Sequence, residues 1–348
     1  MKQIVSDYGG IFGALLLIFI GAIIQNSLLC YVITVLIALY TFLKPKNGLL
    51  LLVLYVPIRP FLIEIEGALK AVADAVILFA FLRVLYDSRH HFKSVFHLKV
   101  FEWALLIYCL LGIASGLITG VSLTAVIFES RALILFFLLF YIVRRLEITT
   151  QDIKRFIWLA FIMAIVLSLH GWIEKISIRS WLLPHEWVIH PLSPTNRIRI
   201  YGLVNNPNTL GLYLALTYFF SLYLSHFYKG KMKWLFHIGS VILLGTIIMT
   251  FSRGVFIGVV FCLLLYVVLT KDWMIFRRSI VYIVLSILLI VLPIIRIADV
   301  LEQTDLGRTQ RDIMALYDQE ETSATQRLSG TFAKENIVQD SQTRRLFY

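Results

Sequence analysis

Apolar segments of roughly 16 to 20 residues recur along nearly the whole chain, and each is long enough to cross a bilayer as one helix. Hydrophobic residues make up 59% of the 348 residues and charged residues make up 15%. A soluble domain carries about 25% charged residues, so the composition excludes an ordinary soluble protein. The sequence therefore predicts an all-α fold, namely a polytopic membrane helix bundle.

We predict eleven transmembrane helices, with boundaries read from the apolar runs. They cover residues 8–24, 28–43, 48–63, 71–86, 101–119, 123–143, 154–173, 208–227, 235–251, 254–270 and 280–296. The first has one lysine before it and no small-residue cleavage site after it, which indicates a retained span. The bundle thus occupies residues 1–296, with a long outer loop at 174–207.

The distribution of basic residues predicts the orientation. With the N-terminus inside, sixteen lysines and arginines fall in inner loops and seven in outer connections. The net charge of +11 is then explained by the positive-inside rule and anionic lipids, and nucleic acid is not implied as a partner. An odd number of spans places the tail, residues 297–348, on the extracytoplasmic side. The tail carries nine acidic and six basic residues, and we predict weak helix only around Asp312–Gln319.

Charged residues within or beside the apolar runs include Asp74, Glu129 and Arg131, and His170 lies near the end of the seventh predicted span. Intramembrane charges are costly and usually face a bundle interior or a wet cavity. Glu129 and Arg131 are two residues apart, so they do not face each other on a helix and each needs a partner elsewhere. Interhelical salt bridges and a role in handling substrate or protons are both open interpretations.

The stretch Arg197–Gly211, RIRIYGLVNNPNTLG, follows the longest polar segment between apolar spans. Asn206 is a good N-cap and Pro207 fits the first position of the following helix. Arg197 and Arg199 therefore lie just before a helix N-terminus, where N–H groups and the helix dipole also favour an anion. We predict that this segment holds a phosphate-bearing substrate at the membrane surface.

A second motif, TFSRG at Thr250–Gly254, forms a tight turn between two predicted spans on the same outer side. Ser252 can cap the next helix, and Arg253 lies in its first turn. Arginine there opposes the helix dipole, and a bound anion would reverse that penalty. Arg253 is thus a second candidate phosphate ligand; the alternatives are contact with lipid headgroups and an ion pair with Glu129.

The predicted outer loop also contains His185 and His190. Two histidines five residues apart with no third ligand do not predict a zinc site, and the three cysteines have no metal-ligand spacing. We predict no metal site and no cofactor. Trp181 and Trp187 in this loop suit a membrane-interface belt, although aromatic faces also stack on sugar rings.

The motifs RIYGLVNNPNTLG and TFSRG, in this order and on the same predicted side, resemble the family of O-antigen ligases and O-antigen polymerases. Teichuronic-acid and capsule polymerising proteins resemble it too. The likeness is sharpest over residues 197–258. Arg327, near SATQRLSG, resembles the start of the large outer loop of that family, after which the likeness fades. We therefore expect a member that is shortened at its C-terminus.

The resemblance implies a metal-independent, inverting glycosyltransferase in the bacterial cytoplasmic membrane, with its active face extracytoplasmic. The donor would be a glycan on undecaprenyl diphosphate, and the acceptor a second glycan or a lipid. Arg199 and Arg253 match the arginines that hold the diphosphate. Arg197 would assist them, and the helix starts at Asn206–Asn208 and at Ser252 would contribute N–H groups.

One departure from the family concerns the catalytic base. Members carry a histidine in the late outer loop, and the tail of this chain has none. The remaining candidates for a catalytic residue are His185, His190 and Glu129. Two alternatives to a transferase therefore stand: a transporter of lipid-linked glycans, and a catalytically incomplete member of the same family that only binds its ligand.

Overall fold

The computed structural model describes residues 2–91, 98–190, 192–313 and 315, which are almost entirely helical and contain no β-strand. The predicted all-α class is confirmed for these residues. The chain divides into two compact units. The first contains Met1–Val166, Leu203–Asn205 and Thr217–Phe227, and the second contains Leu167–Gly202, Asn206–Leu216 and Tyr228–Tyr348.

Each of the eleven predicted spans overlaps one long helix. These helices are Lys2–Ile24, Ser27–Leu43, Pro45–Ile65, Ala71–Asp87, Val100–Ile118, Leu123–Arg145, Thr150–Ile176, Pro207–Phe227, Gly230–Met249, Arg253–Thr270 and Trp273–Glu302. Short helical turns lie at Gly67–Lys70, Arg89–His91, His185–Ile189, Pro194–Arg197, Gly202–Val204 and Asp305–Gly307.

Eight of the helices in the described ranges are long and apolar enough to cross a membrane, and Tyr8–Ile24 and Ser27–Leu43 are shorter apolar helices. The helix Val100–Ile118 has only 11% of its most apolar stretch buried. Such a surface is stable against lipid and would be unfavourable in water. The chain is therefore a multi-pass helical membrane protein. The total of eleven spans and the inside position of the N-terminus stay predictions.

Charged side chains within the first unit are paired between helices. Arg131 lies 3.0 Å from the Asp74 carboxylate, so the interhelical salt bridge considered for this arginine is confirmed. The buried Glu102 carboxylate is 2.7 Å from Arg144 and 3.1 Å from Arg145. Pairing offsets part of the cost of placing these charges in or beside an apolar environment.

The last long helix, Trp273–Glu302, contains a π-helical turn at Ile287–Val291. Pro293 follows this turn and has no N–H to donate to the carbonyl group of Leu289, so a local change in the hydrogen-bond ladder is expected there. The helix ends at Glu302, six residues beyond the predicted span at 280–296.

The predicted tail is therefore partly helical. Residues 297–302 continue the last long helix, and residues 308–313 and 315 are helical as well. The weak helix predicted around 312–319 thus falls partly within the described chain. Residues 316–348, including Arg327, lie outside the described residues.

Small residues allow two close approaches inside the second unit. A Cβ atom built on Gly171 would lie 2.7 Å from the Ile200 Cγ2 atom, which is too close for a side chain. A Cβ atom on Gly211 would lie 3.2 Å from the Thr250 hydroxyl oxygen and 3.3 Å from Val255. These glycines let the polar loop and the helix that follows it pack tightly in this unit.

We expect Gly171→Ala to destabilise the protein by about 1–3 kcal/mol, because the added methyl group overpacks the contact with Ile200. Gly258→Ala is the matched control, since a Cβ there meets no atom within 4 Å. That control should be neutral or stabilising by up to about 1 kcal/mol. Thermal unfolding in detergent measures both; equal midpoints for the two variants would contradict the close packing.

Candidate functional site

The polar loop before the helix Pro207–Phe227 is anchored by one buried carboxylate. Glu174 is only 1% exposed. Its Oε1 atom accepts from Arg179 Nη1 at 2.7 Å, and its Oε2 atom accepts from the N–H groups of Tyr201 at 3.0 Å and Gly202 at 2.6 Å. These bonds fix the backbone two and three residues after Arg199.

The partner of this carboxylate is also held in place. Arg179 has a left-handed backbone, with φ of 55°, and its Nη2 atom donates to the Trp187 carbonyl group at 3.2 Å. Its guanidinium group lies over the Tyr201 ring, 4.6 Å from the centroid. Burial raises the pKa of the Tyr201 phenol, and the nearby Arg179 and Arg199 guanidinium groups only partly oppose that rise. Tyr201 is therefore a neutral hydroxyl at neutral pH.

Backbone contacts on either side complete the positioning of Arg199. The N–H group of Ile200 donates to the Met249 carbonyl group at 3.2 Å, near the end of the helix Gly230–Met249. Gly202 follows with a φ of 59°, a conformation that glycine adopts without strain. The loop thus brings Arg199 beside the TFSRG turn.

The Arg199 guanidinium group makes four hydrogen bonds to neutral acceptors. Nε donates to the Thr250 carbonyl group at 2.8 Å, and Nη2 donates to Asn208 Oδ1 at 2.6 Å and Ser252 Oγ at 3.2 Å. Nη1 donates to Asn196 Oδ1 at 3.4 Å. Within the described ranges no carboxylate lies at ion-pair distance from it. The arginine is held rigidly while its positive charge stays uncompensated.

Asn206 caps the following helix as predicted. Its Oδ1 atom accepts from the N–H groups of Asn208 and Thr209, each at 3.0 Å. The N–H groups of Asn208 and Thr209 therefore already have an acceptor within the protein. Pro207, the first residue of the helix, has no N–H group. The expectation that the helix start at Asn206–Asn208 supplies N–H groups to a ligand is therefore wrong. Asn208 contributes its side chain to Arg199 instead.

Ser252 occupies the N-cap position of the helix Arg253–Thr270, but its side chain does not cap that helix. The hydroxyl donates to Asn208 Oδ1 at 2.5 Å and accepts from Arg199. The prediction of a serine side-chain cap is therefore wrong, because the hydroxyl is used to position the arginine.

The N-terminus of that helix remains open. The N–H groups of Arg253, Gly254 and Val255 donate to no acceptor in the part of the chain that the structure describes. Arg253 is exposed, and its side chain has neither an ion pair nor a hydrogen bond with any described residue. A Cβ atom on Gly254 would meet nothing within 4 Å. Donors and space for an anion therefore coincide here.

Arg199 and Arg253 line the same cavity, which has a volume of about 980 Å³. Asn208 and Ser252 lie with them at its polar part. The rest of its wall is largely apolar and includes Ile247, Ile248, Phe251, Phe256, Ile257, Ile283 and Ile287. A cavity with two cations beside an apolar wall can hold an amphiphilic anion.

The other predicted residues lie elsewhere. Arg197 donates to the Leu192 carbonyl group at 2.7 Å and lines a second, smaller cavity. His185 and His190 are exposed at the ends of the short helix His185–Ile189 and line neither cavity. Glu129 belongs to the first unit and is not among the residues that line the two cavities. Neither of the two histidines thus lines a cavity with Arg199 or Arg253.

Sequence reasoning missed Glu174 and Arg179, which position the site without lining the larger cavity. Glu174 directly follows the predicted span 154–173, but the sequence does not indicate which residues it would contact. In the described chain no group of three or more His, Cys, Asp or Glu side chains is placed to hold a metal ion.

Comparison with protein-family models, with curated proteins and with solved structures gives no match to this chain.

We expect Glu174→Gln to destabilise the protein by about 3–5 kcal/mol, because it leaves the buried Arg179 guanidinium group without its counter-charge. The exposed Glu186→Gln is the matched control and should change stability by no more than about 0.5 kcal/mol. Thermal unfolding in the same detergent compares them. An unchanged unfolding midpoint in Glu174→Gln would show that this carboxylate does not anchor the loop.

Proposed function

We propose that the protein is a membrane glycosyltransferase that moves or polymerises a glycan from an undecaprenyl-diphosphate-linked donor in the synthesis of cell-envelope polysaccharide. One observation carries the proposal: two arginines without counter-charges, Arg199 and Arg253, share a cavity that is otherwise largely apolar. The likeness of the two motifs to the O-antigen ligase and polymerase family supports it.

The chemistry of the cavity matches a diphosphate on an apolar chain. Guanidinium groups bind phosphate oxygens through charge-assisted hydrogen bonds, and one of the five N–H groups of Arg199 is left after its four bonds to the protein. Arg199 is already oriented by four neutral acceptors, so little side-chain entropy is lost on binding. Arg253 and the open helix N-terminus beside it add charge and N–H donors, and the apolar wall suits an isoprenoid chain.

In the proposed reaction an acceptor hydroxyl attacks the anomeric carbon of the donor sugar. The bond from that carbon to the diphosphate oxygen breaks, so the configuration inverts and the diphosphate leaves with the bonding electrons. Arg199 and Arg253 would stabilise the charge that develops on the leaving group, which lowers the barrier. The acceptor hydroxyl must lose its proton to a base.

The arrangement around the cavity also favours a second candidate, a member of the same family that binds the donor without turnover. The observation behind it is the position of His185 and His190, neither of which lines the cavity. Both candidates place the ligand in the same site, so they differ in product formation and agree on binding.

We expect Arg253→Ala to weaken binding of undecaprenyl diphosphate by about ten- to a hundredfold, because one charge-assisted contact is worth about 1.5–3 kcal/mol. Arg199→Lys keeps the charge but loses the planar fork, and it should weaken binding as well. Binding to protein in nanodiscs is the measurement.

Arg277→Ala is the control for lost positive charge, because Arg277 is exposed in the same unit and does not line the cavity. Wild-type affinity in both Arg253→Ala and Arg199→Lys would overturn the assignment of the site.

Turnover is tested separately with undecaprenyl-diphosphate-linked glycans and protein reconstituted in liposomes. A new glycosidic bond, detected by mass spectrometry and lost in Arg253→Ala, is the result expected of a transferase. Tight binding with no product would identify the binding member. Movement of the lipid-linked glycan across the bilayer without a new bond would contradict both and indicate a transporter.

A further inference from the structure

A second cavity in the same unit has a different character. It has a volume of about 300 Å³, at the lower end of the range for small-molecule sites, and Arg199 lines it as well as the larger cavity. We propose that this smaller cavity is a subsite for a neutral, hydroxyl-rich sugar residue, the one joined to the diphosphate. This inference rests on the proposed function and assigns the sugar end of the same ligand.

The lining contains charges of both signs. Glu174 and Arg179 pair with each other at 2.7 Å, and the remaining charged residues of the lining are Lys175, Arg197, Arg199, Asp299 and Glu302. Carboxylates would repel a second phosphate, so this cavity is a poor anion site, unlike the larger one. A sugar hydroxyl can donate to a carboxylate and accept from an ammonium or guanidinium group at the same time.

The two carboxylates are placed to act together. Asp299 and Glu302 are three residues apart on the helix segment Leu292–Glu302, so their side chains project from the same face. Both line the cavity, as does the neighbouring Ala298. A sugar ring carries several hydroxyl groups, so both carboxylates can accept from one ring.

A buried amide supplies the second, independent observation. Gln310 is 7% exposed and lines the cavity. Its Nε2 atom donates to the Val188 carbonyl group at 2.9 Å, and its Oε1 atom accepts from no donor in the described ranges. That oxygen can therefore accept a hydrogen bond from a hydroxyl group of a ligand in the cavity.

The test compares undecaprenyl diphosphate with the same lipid carrying glucose, galactose or N-acetylglucosamine, on the full chain in nanodiscs. We expect at least one sugar-bearing lipid to bind about tenfold more tightly than the sugar-free lipid, since each added hydrogen bond is worth about 0.5–1.5 kcal/mol. Asp299→Asn and Glu302→Gln should reduce that preference without weakening the binding of undecaprenyl diphosphate, because removing a carboxylate also removes its repulsion of the phosphates. Glu186→Gln is the control carboxylate outside the cavity.

The outcomes separate the two proposals. Binding of all four lipids with equal affinity, or a sugar preference that both carboxylate variants retain, would overturn the sugar subsite while leaving the diphosphate site standing. Equal loss of affinity for all four lipids in Asp299→Asn and Glu302→Gln would assign these residues a structural role and overturn it too. If undecaprenyl diphosphate did not bind even to the wild-type protein, the proposed function would fail, and the sugar subsite with it.

Discussion

The second unit depends on a buried carboxylate that receives three hydrogen bonds. A charge removed from water is tolerated only when donors surround it, and Glu174 obtains one from Arg179 and two from the loop backbone at Tyr201 and Gly202. Because the two backbone donors are 27 and 28 residues from Glu174 in sequence, satisfying the carboxylate also folds the loop. The conformation of Arg199 follows from that requirement.

Arg199 and Arg253 differ in their partners from three arginines of the first unit. Arg131, Arg144 and Arg145 in the first unit have carboxylates at 2.7–3.1 Å, and these ion pairs connect neighbouring helices. Arg199 has only neutral acceptors, and Arg253 has no partner in the described chain. A positioned cation without a counter-charge is what the proposed anion site requires.

Arg199 lines two cavities of different chemistry. The larger cavity is mostly apolar with cations at one part, and the smaller one carries acids, bases and an amide. A lipid with an apolar chain, a diphosphate and a sugar has an apolar part, an anionic part and a hydroxyl-bearing part, which match the apolar wall, the arginines and the smaller cavity. The two proposals made above treat the cavities as one binding site for such a ligand, with the arginine at the phosphate.

The sequence alone determined the helical membrane class, because apolar runs of membrane length fix helix positions through local hydrophobicity and backbone hydrogen bonding. It also identified the Asn206 cap and the two arginine motifs, which are local signals. It could not determine which N–H groups stay open, and it wrongly assigned Ser252 to capping and the Asn206 helix start to the ligand. Those outcomes depend on which side chains compete for each donor, and only tertiary packing brings Asn208, Ser252 and Arg199 together across 53 residues of chain. The roles of Glu174 and Arg179 could not be predicted for the same reason, because the contacts of a charged side chain are set by the tertiary structure.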